Sequence, residues 1–71
     1  MSALKIRMLR INRGLSRDAF AEAVGVTHAT VKRIEEGGLP SEATALKVAD
    51  YFNEKPTDLW PALINGRSEA A

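Results

Sequence analysis

The stretch Gly14-Leu15-Ser16-Arg17-Asp18-Ala19-Phe20-Ala21-Glu22-Ala23-Val24-Gly25-Val26-Thr27-His28-Ala29-Thr30-Val31-Lys32-Arg33-Ile34-Glu35 decides how this chain is read. Two short helical patterns meet at Val24-Gly25-Val26. Each opens with a hydroxyl residue, Ser16 or Thr27, whose side chain can accept a hydrogen bond from a backbone N–H of the first turn. In the first pattern, Phe20, Ala21 and Val24 fall at i, i+1 and i+4 and form one apolar stripe. In the second, Val31 and Ile34 make the core contacts, with Ala29 or Thr30 one turn earlier. Gly25 supplies the positive φ that ends the first helix. Two helices joined by a short Gly-containing turn form a helix-turn-helix, a motif that lays its second helix in the DNA major groove.

Working outward, the pattern predicts a helix from about Ala3 to Arg13, with Ser2 as N-cap and Gly14 at the left-handed C-terminal position. Leu4, Ile6 and Leu9 alternate there with basic residues. Beyond the central stretch, Gly37-Gly38-Leu39-Pro40 is a break. A fourth helix follows the cap Ser41 and runs to about Phe52. Its core positions are read as Leu46, Ala49 and Phe52, with Ala45 and Val48 alongside, and Asn53 is its left-handed cap. A last helix starts near Pro56, a favoured first helical residue, and holds Leu59 and Trp60. Pro61 limits or kinks it, and Asn65-Gly66 closes it. The fold class is therefore all-α, five short helices in one domain over residues 1–66, followed by a disordered tail over 67–71.

Composition narrows the function classes. The 71 residues contain no cysteine, which removes disulfides and thiolate metal sites. No apolar run reaches membrane-span length, and the N-terminus lacks the apolar segment of a signal peptide, so no membrane partner is expected and a cytoplasmic location is. Net charge is only +1, but it is unevenly spread. Residues 1–34 carry Lys5, Arg7, Arg10, Arg13, Arg17, Lys32 and Arg33 against Asp18 and Glu22, a balance of +5. Residues 35–71 carry Lys47, Lys55 and Arg67 against seven acids, a balance of −4. This asymmetry suggests a basic face and an acidic remainder. His28 is the only histidine. With no Gly-rich phosphate loop and no metal-ligand cluster, neither an enzyme, a metal nor a cofactor is expected.

The chain resembles the phage-repressor and Cro-like, or XRE-type, helix-turn-helix family, a lambda-repressor-like fold. The resemblance runs from about Ile6 to Trp60. It is carried by Ile6-Arg7-x-Leu9-Arg10, Gly14-Leu15-Ser16, Phe20-Ala21, Gly25-Val26-Thr27, Val31 to Ile34-Glu35, Gly37, Pro40, Ala49 with Phe52, and Asp58-Leu59. It implies five helices with the third as the reading element, and a homodimer on a palindromic or pseudo-palindromic double-stranded operator. It also implies a structural ion pair between Arg10 and Glu35 that orients the third helix. Two positions depart from the family pattern: Arg17 stands where Gln is common, and the loop after Gly37 is short and lacks basic residues.

On this reading His28, Ala29, Lys32 and Arg33 are the candidate base contacts. Arg can bond guanine O6 and N7 in bidentate fashion, and Ala can touch a thymine methyl. Ser16, Arg17, Thr27, Thr30, Arg13 and Asn12 are candidate phosphate contacts. Trp60, Leu63 and Ile64 are the candidate dimer interface, an apolar cluster that so small a domain is expected not to bury alone. The expected function is transcriptional regulation by operator occupancy, in a bacterial or phage-encoded protein that joins the nucleoid when bound. The alternative is an antitoxin or other protein-interaction module on the same fold.

Overall fold

A computed structural model describes residues 2–63; Ile64, the Asn65-Gly66 stop and the expected 67–71 tail lie outside the described residues. The chain order is α1 (Ser2–Asn12), α2 (Arg17–Val24), α3 (His28–Glu35), α4 (Glu42–Phe52) and α5 (Pro56–Leu59), with no strand among the described residues. The three middle helices begin at the hydroxyl residues read from the sequence. Ser16 Oγ accepts from Ala19 N at 3.1 Å, Thr27 Oγ1 from Thr30 N at 3.2 Å, and Ser41 Oγ from Thr44 N at 3.2 Å. Each such bond satisfies a donor that the helix itself leaves unpaired, and losing one costs about 1 kcal/mol.

The helix ends are equally local. Gly25 closes α2 at φ 88° and donates to Ala21 O. An L-residue with a Cβ would be strained there, so this glycine sets the angle between α2 and α3. Asn53 closes α4 in the same left-handed region at φ 56°, with Glu54 N returning to Ala49 O at 2.8 Å.

The core is one cluster built from every helix: Ile6 from α1, Phe20 and Ala21 from α2, Val31 and Ile34 from α3, Ala45, Val48, Ala49 and Phe52 from α4, and Leu59 with Trp60 at the C-terminal end. The Phe20 ring lies 5.2 Å from that of Phe52 and 6.0 Å from that of Tyr51, centroid to centroid. Packing of α3 against both α1 and α2 fixes the reading helix on two sides, while α4 supports α2 and α5.

Several expectations are corrected here. Ser2, read as a cap, is already within α1, and Arg13 falls in the turn after it. Leu46 is exposed, not core. The buried stripe of α4 is Ala45, Val48, Ala49 and Phe52, at i, i+3, i+4 and i+7. Leu46 lies about 100° round the helix from Ala45, which turns it to solvent. Leu4 is likewise exposed, and of the α1 apolar residues Ile6 alone is fully buried. The last helix is shorter than read: α5 ends at Leu59, Trp60 adopts φ −136° and ψ 80°, and residues 61–63 resume a helical turn. Pro61 disfavours the α conformation for the residue before it, which accounts for the break. Trp60, read as a dimer surface, is only 4% exposed and completes the core. It joins the one core cluster that residues from all five helices build, so most of its surface is covered within the single chain.

Candidate nucleic-acid interface

The outward face of α3 follows from its helical period. Val31, Ile34 and Glu35 are buried and Thr30 is half-buried, which leaves His28, Ala29, Lys32 and Arg33 exposed together. Glu36, the C-cap, is exposed one turn beyond Lys32. The four residues read as base contacts thus share one solvent face, with an acid at its C-terminal edge.

Each has a distinct local environment. His28 Nδ1 pairs with Asp18 Oδ1 of α2, both side chains being largely in solvent. Arg33 Nη2 donates to Leu39 O at 3.2 Å, and its aliphatic stem lies over Gly38. A Cβ on Gly38 would come 2.6 Å from Arg33 Cγ and 2.9 Å from Arg33 O, so that glycine makes room for the Arg33 side chain. Lys32 has no ion-pair partner among the described residues.

Behind this face lies the ionic cluster that holds α3. Arg10 Nε donates to Glu35 Oε2 at 2.6 Å, Arg10 Nη2 to Oε1 at 3.2 Å, and Arg10 Nη1 to Leu15 O at 2.8 Å. The Glu35 side chain is fully buried, and a fork-to-fork pair of this kind is charge-assisted and directional. The resemblance implied the Arg10–Glu35 pair. The second cation was not foreseen: Arg17 Nε also donates to Glu35 Oε1, at 3.2 Å. Arg17, read as a phosphate contact, therefore joins α2 to α3, and its side chain stays about one-third exposed beside Ser16.

The remaining candidates divide. Thr27 and Thr30 are linked through their hydroxyls at 2.9 Å, at the N-terminus of α3. Ser16 and Arg17 stand at the N-terminus of α2. Asn12 is exposed at the last residue of α1. Arg13 is drawn to α4, its guanidinium carbon 5.0 Å from the Tyr51 ring centroid and 5.2 Å from that of Phe52, a cation–π arrangement. Sequence reasoning missed the His28–Asp18 pair, the Arg13 stacking and the double hold on Glu35. All three join residues from separate parts of the chain, so no local spacing rule exposes them. Among the described residues, no group of three His, Cys, Asp or Glu is placed to hold a metal ion.

With this geometry in place, the family follows. Residues 6–59 match a helix-turn-helix family model, and the chain belongs to that family. It is also similar to a Bacillus subtilis (strain 168) protein named "Uncharacterized HTH-type transcriptional regulator YgzD". The two are 40% identical over 57 residues, which cover 79% of this chain and 86% of the relative. No solved structure matches significantly. The XRE-type resemblance read from the sequence stands, and the two matches together support a DNA-binding transcriptional regulator.

Proposed function

We propose that this chain is a repressor that occupies a palindromic double-stranded operator as a homodimer, with α3 in the major groove. One observation carries the reading: His28, Ala29, Lys32 and Arg33 form a single exposed face on a helix whose other side is locked by a buried ion cluster. A reading element needs that rigidity, because a bidentate contact to a base edge tolerates little misplacement. His28 and Ala29, in the first turn, are the proposed first readers, and Lys32 and Arg33 follow one turn on. Ser16, Arg17, Thr27 and Thr30 are the proposed phosphate grips, helped by the free N–H groups at the start of α2. Asn12 and Arg13 are secondary grips, and Arg13 would have to leave its rings to act.

A second copy is proposed because one module this small covers little DNA, and two place their reading helices about 34 Å apart, one duplex turn. With Trp60 in the core, the proposed contact reduces to Leu63, half-buried, and Ile64. An open apolar cleft of about 240 Å³, lined by Ala3, Leu39, Trp60, Pro61 and Ala62, supports an interface at this end of the described residues. Selection of bound sites from random duplexes tests the whole reading. The expected product is a two-fold symmetric consensus bound by two copies. A non-palindromic site saturated by one copy would sink the dimer, and no enriched sequence would sink the operator.

A further inference from the structure

Two helix faces have no task in the reading above, and they are chemically complementary. On α1, Leu4, Met8 and Ile11 recur at i, i+4 and i+7 and are 60%, 47% and 47% exposed, a continuous apolar stripe. Arg7 runs beside it, three residues after Leu4 and four before Ile11, on the same flank. It is exposed and has no ion-pair partner among the described residues. The helix has no acid, and of its cations Lys5 pairs with Glu54 at 3.1 Å and Arg10 with Glu35, so Arg7 is the charge this face offers to a partner. On α4, Leu46 is 58% exposed, with the exposed Asp50 one turn after it, Glu42 one turn before it and the exposed Lys47 beside it. α1 thus offers an apolar face flanked by the cation of Arg7, and α4 an exposed leucine flanked by the acid of Asp50.

We infer that the α1 face of one copy docks on the α4 face of a second copy, with Met8 and its neighbours over Leu46 and Arg7 against Asp50. An α1–α1 pairing is disfavoured, since it brings two cationic flanks together. Like-charge juxtaposition works against such a partner while opposite charges favour the α4 face. The two patches differ, so the contact is heterologous: unless the rotation closes, each docked pair keeps one α1 face and one α4 face for further copies. The α1 stripe is short, about 10 Å from Leu4 to Ile11 at 1.5 Å per residue. A face this short cannot supply the roughly 800 Å² per partner of a stable interface, so the contact is weak between free copies. It becomes effective where another surface holds copies side by side, because effective concentration replaces affinity. That last step rests on the operator reading: copies on adjacent sites then bind cooperatively.

The chain has no cysteine, so single cysteines report the contact directly. Met8→Cys and Leu46→Cys alter exposed positions and leave the core intact. Mixed and oxidised gently without DNA, the two variants should form the mixed disulfide several-fold above the share that random collision gives, because a disulfide needs Cβ atoms about 4 Å apart. Arg7→Glu in the Met8→Cys chain should remove that excess, and Asp50→Arg in the Leu46→Cys chain should then restore it. A statistical yield, an excess of the product between two Met8→Cys chains, or an excess indifferent to both charge reversals overturns the α1–α4 contact. With no DNA in the assay, its failure is distinct from a failure of operator binding.

Discussion

The two sides of α3 are made for opposite tasks. Its inner side presents Val31 and Ile34 to the core and buries the Glu35 carboxylate between two guanidinium groups. Its outer side presents His28, Ala29, Lys32 and Arg33 to solvent, held by single peripheral bonds or by none. The contrast teaches that eight residues can carry stability and recognition separately, because a helix turns by 100° per residue. Inner substitutions should move the unfolding equilibrium, and outer ones should move DNA binding alone.

The largest expected effect is on the inner side. Glu35→Ala leaves Arg10 partly buried without its carboxylate and should destabilise the fold by roughly 3–5 kcal/mol, read as a lower urea midpoint. Replacing both partners by apolar residues of similar volume should recover most of that loss, since the penalty comes from the stranded charge and not from the missing pair. A Glu35→Ala midpoint no lower than that of Lys32→Ala would erase the distinction between the two sides.

On the outer side, Arg33→Ala should cost about 1–3 kcal/mol on the preferred sequence and relax one position per half-site. Its unfolding free energy should stay within about 0.5 kcal/mol of the parent, as for most surface substitutions. An unchanged selected consensus would remove Arg33 from the readers.

Arg17 straddles the two sides and sharpens the comparison. It holds Glu35 from the solvent edge, with Arg10 already in place, so Arg17→Ala should destabilise the fold less than Arg10→Ala does. It should also weaken binding to all sequences alike and lower the salt slope by about one per subunit, because a phosphate contact is lost. Urea titrations together with binding at several salt concentrations separate the two roles. A salt slope equal to that of the parent would leave Arg17 purely structural.

The smallest effect belongs to Asp18. Its pair with His28 is exposed, so Asp18→Asn should change stability by about 0–1 kcal/mol, less at high salt. The substitution also frees His28 and removes a negative charge beside the reading face, so DNA affinity should rise slightly. Weaker binding by Asp18→Asn would show that the carboxylate orients His28 for contact.

Much of the fold was legible in the sequence where the physics is local. Ser16, Thr27 and Ser41 cap the helices they were expected to cap, because a cap bond spans three residues and needs no tertiary partner. Gly25 and Asn53 end their helices for a similarly local reason, the low cost of the left-handed conformation. The candidate base contacts could be placed on one face because the period of α3 is unbroken. Leu46 could not be assigned as safely. The α4 pattern offers apolar residues on more than one side, and Phe20 and Leu59, distant in sequence, decide which side faces in.

By itself, the sequence determined the three middle helices and their caps, the turn between α2 and α3 and the division of α3 into two sides. All of these arise from hydrogen bonds and periodicity within a few residues. The tertiary structure alone decided that Trp60 belongs to the core, that Arg17 shares Glu35 with Arg10, that Arg13 lies over the rings of α4, and that Leu4, Met8, Ile11 and Leu46 remain outside. Burial and charge pairing depend on what other helices bring alongside a residue, and that is set by how the whole chain packs.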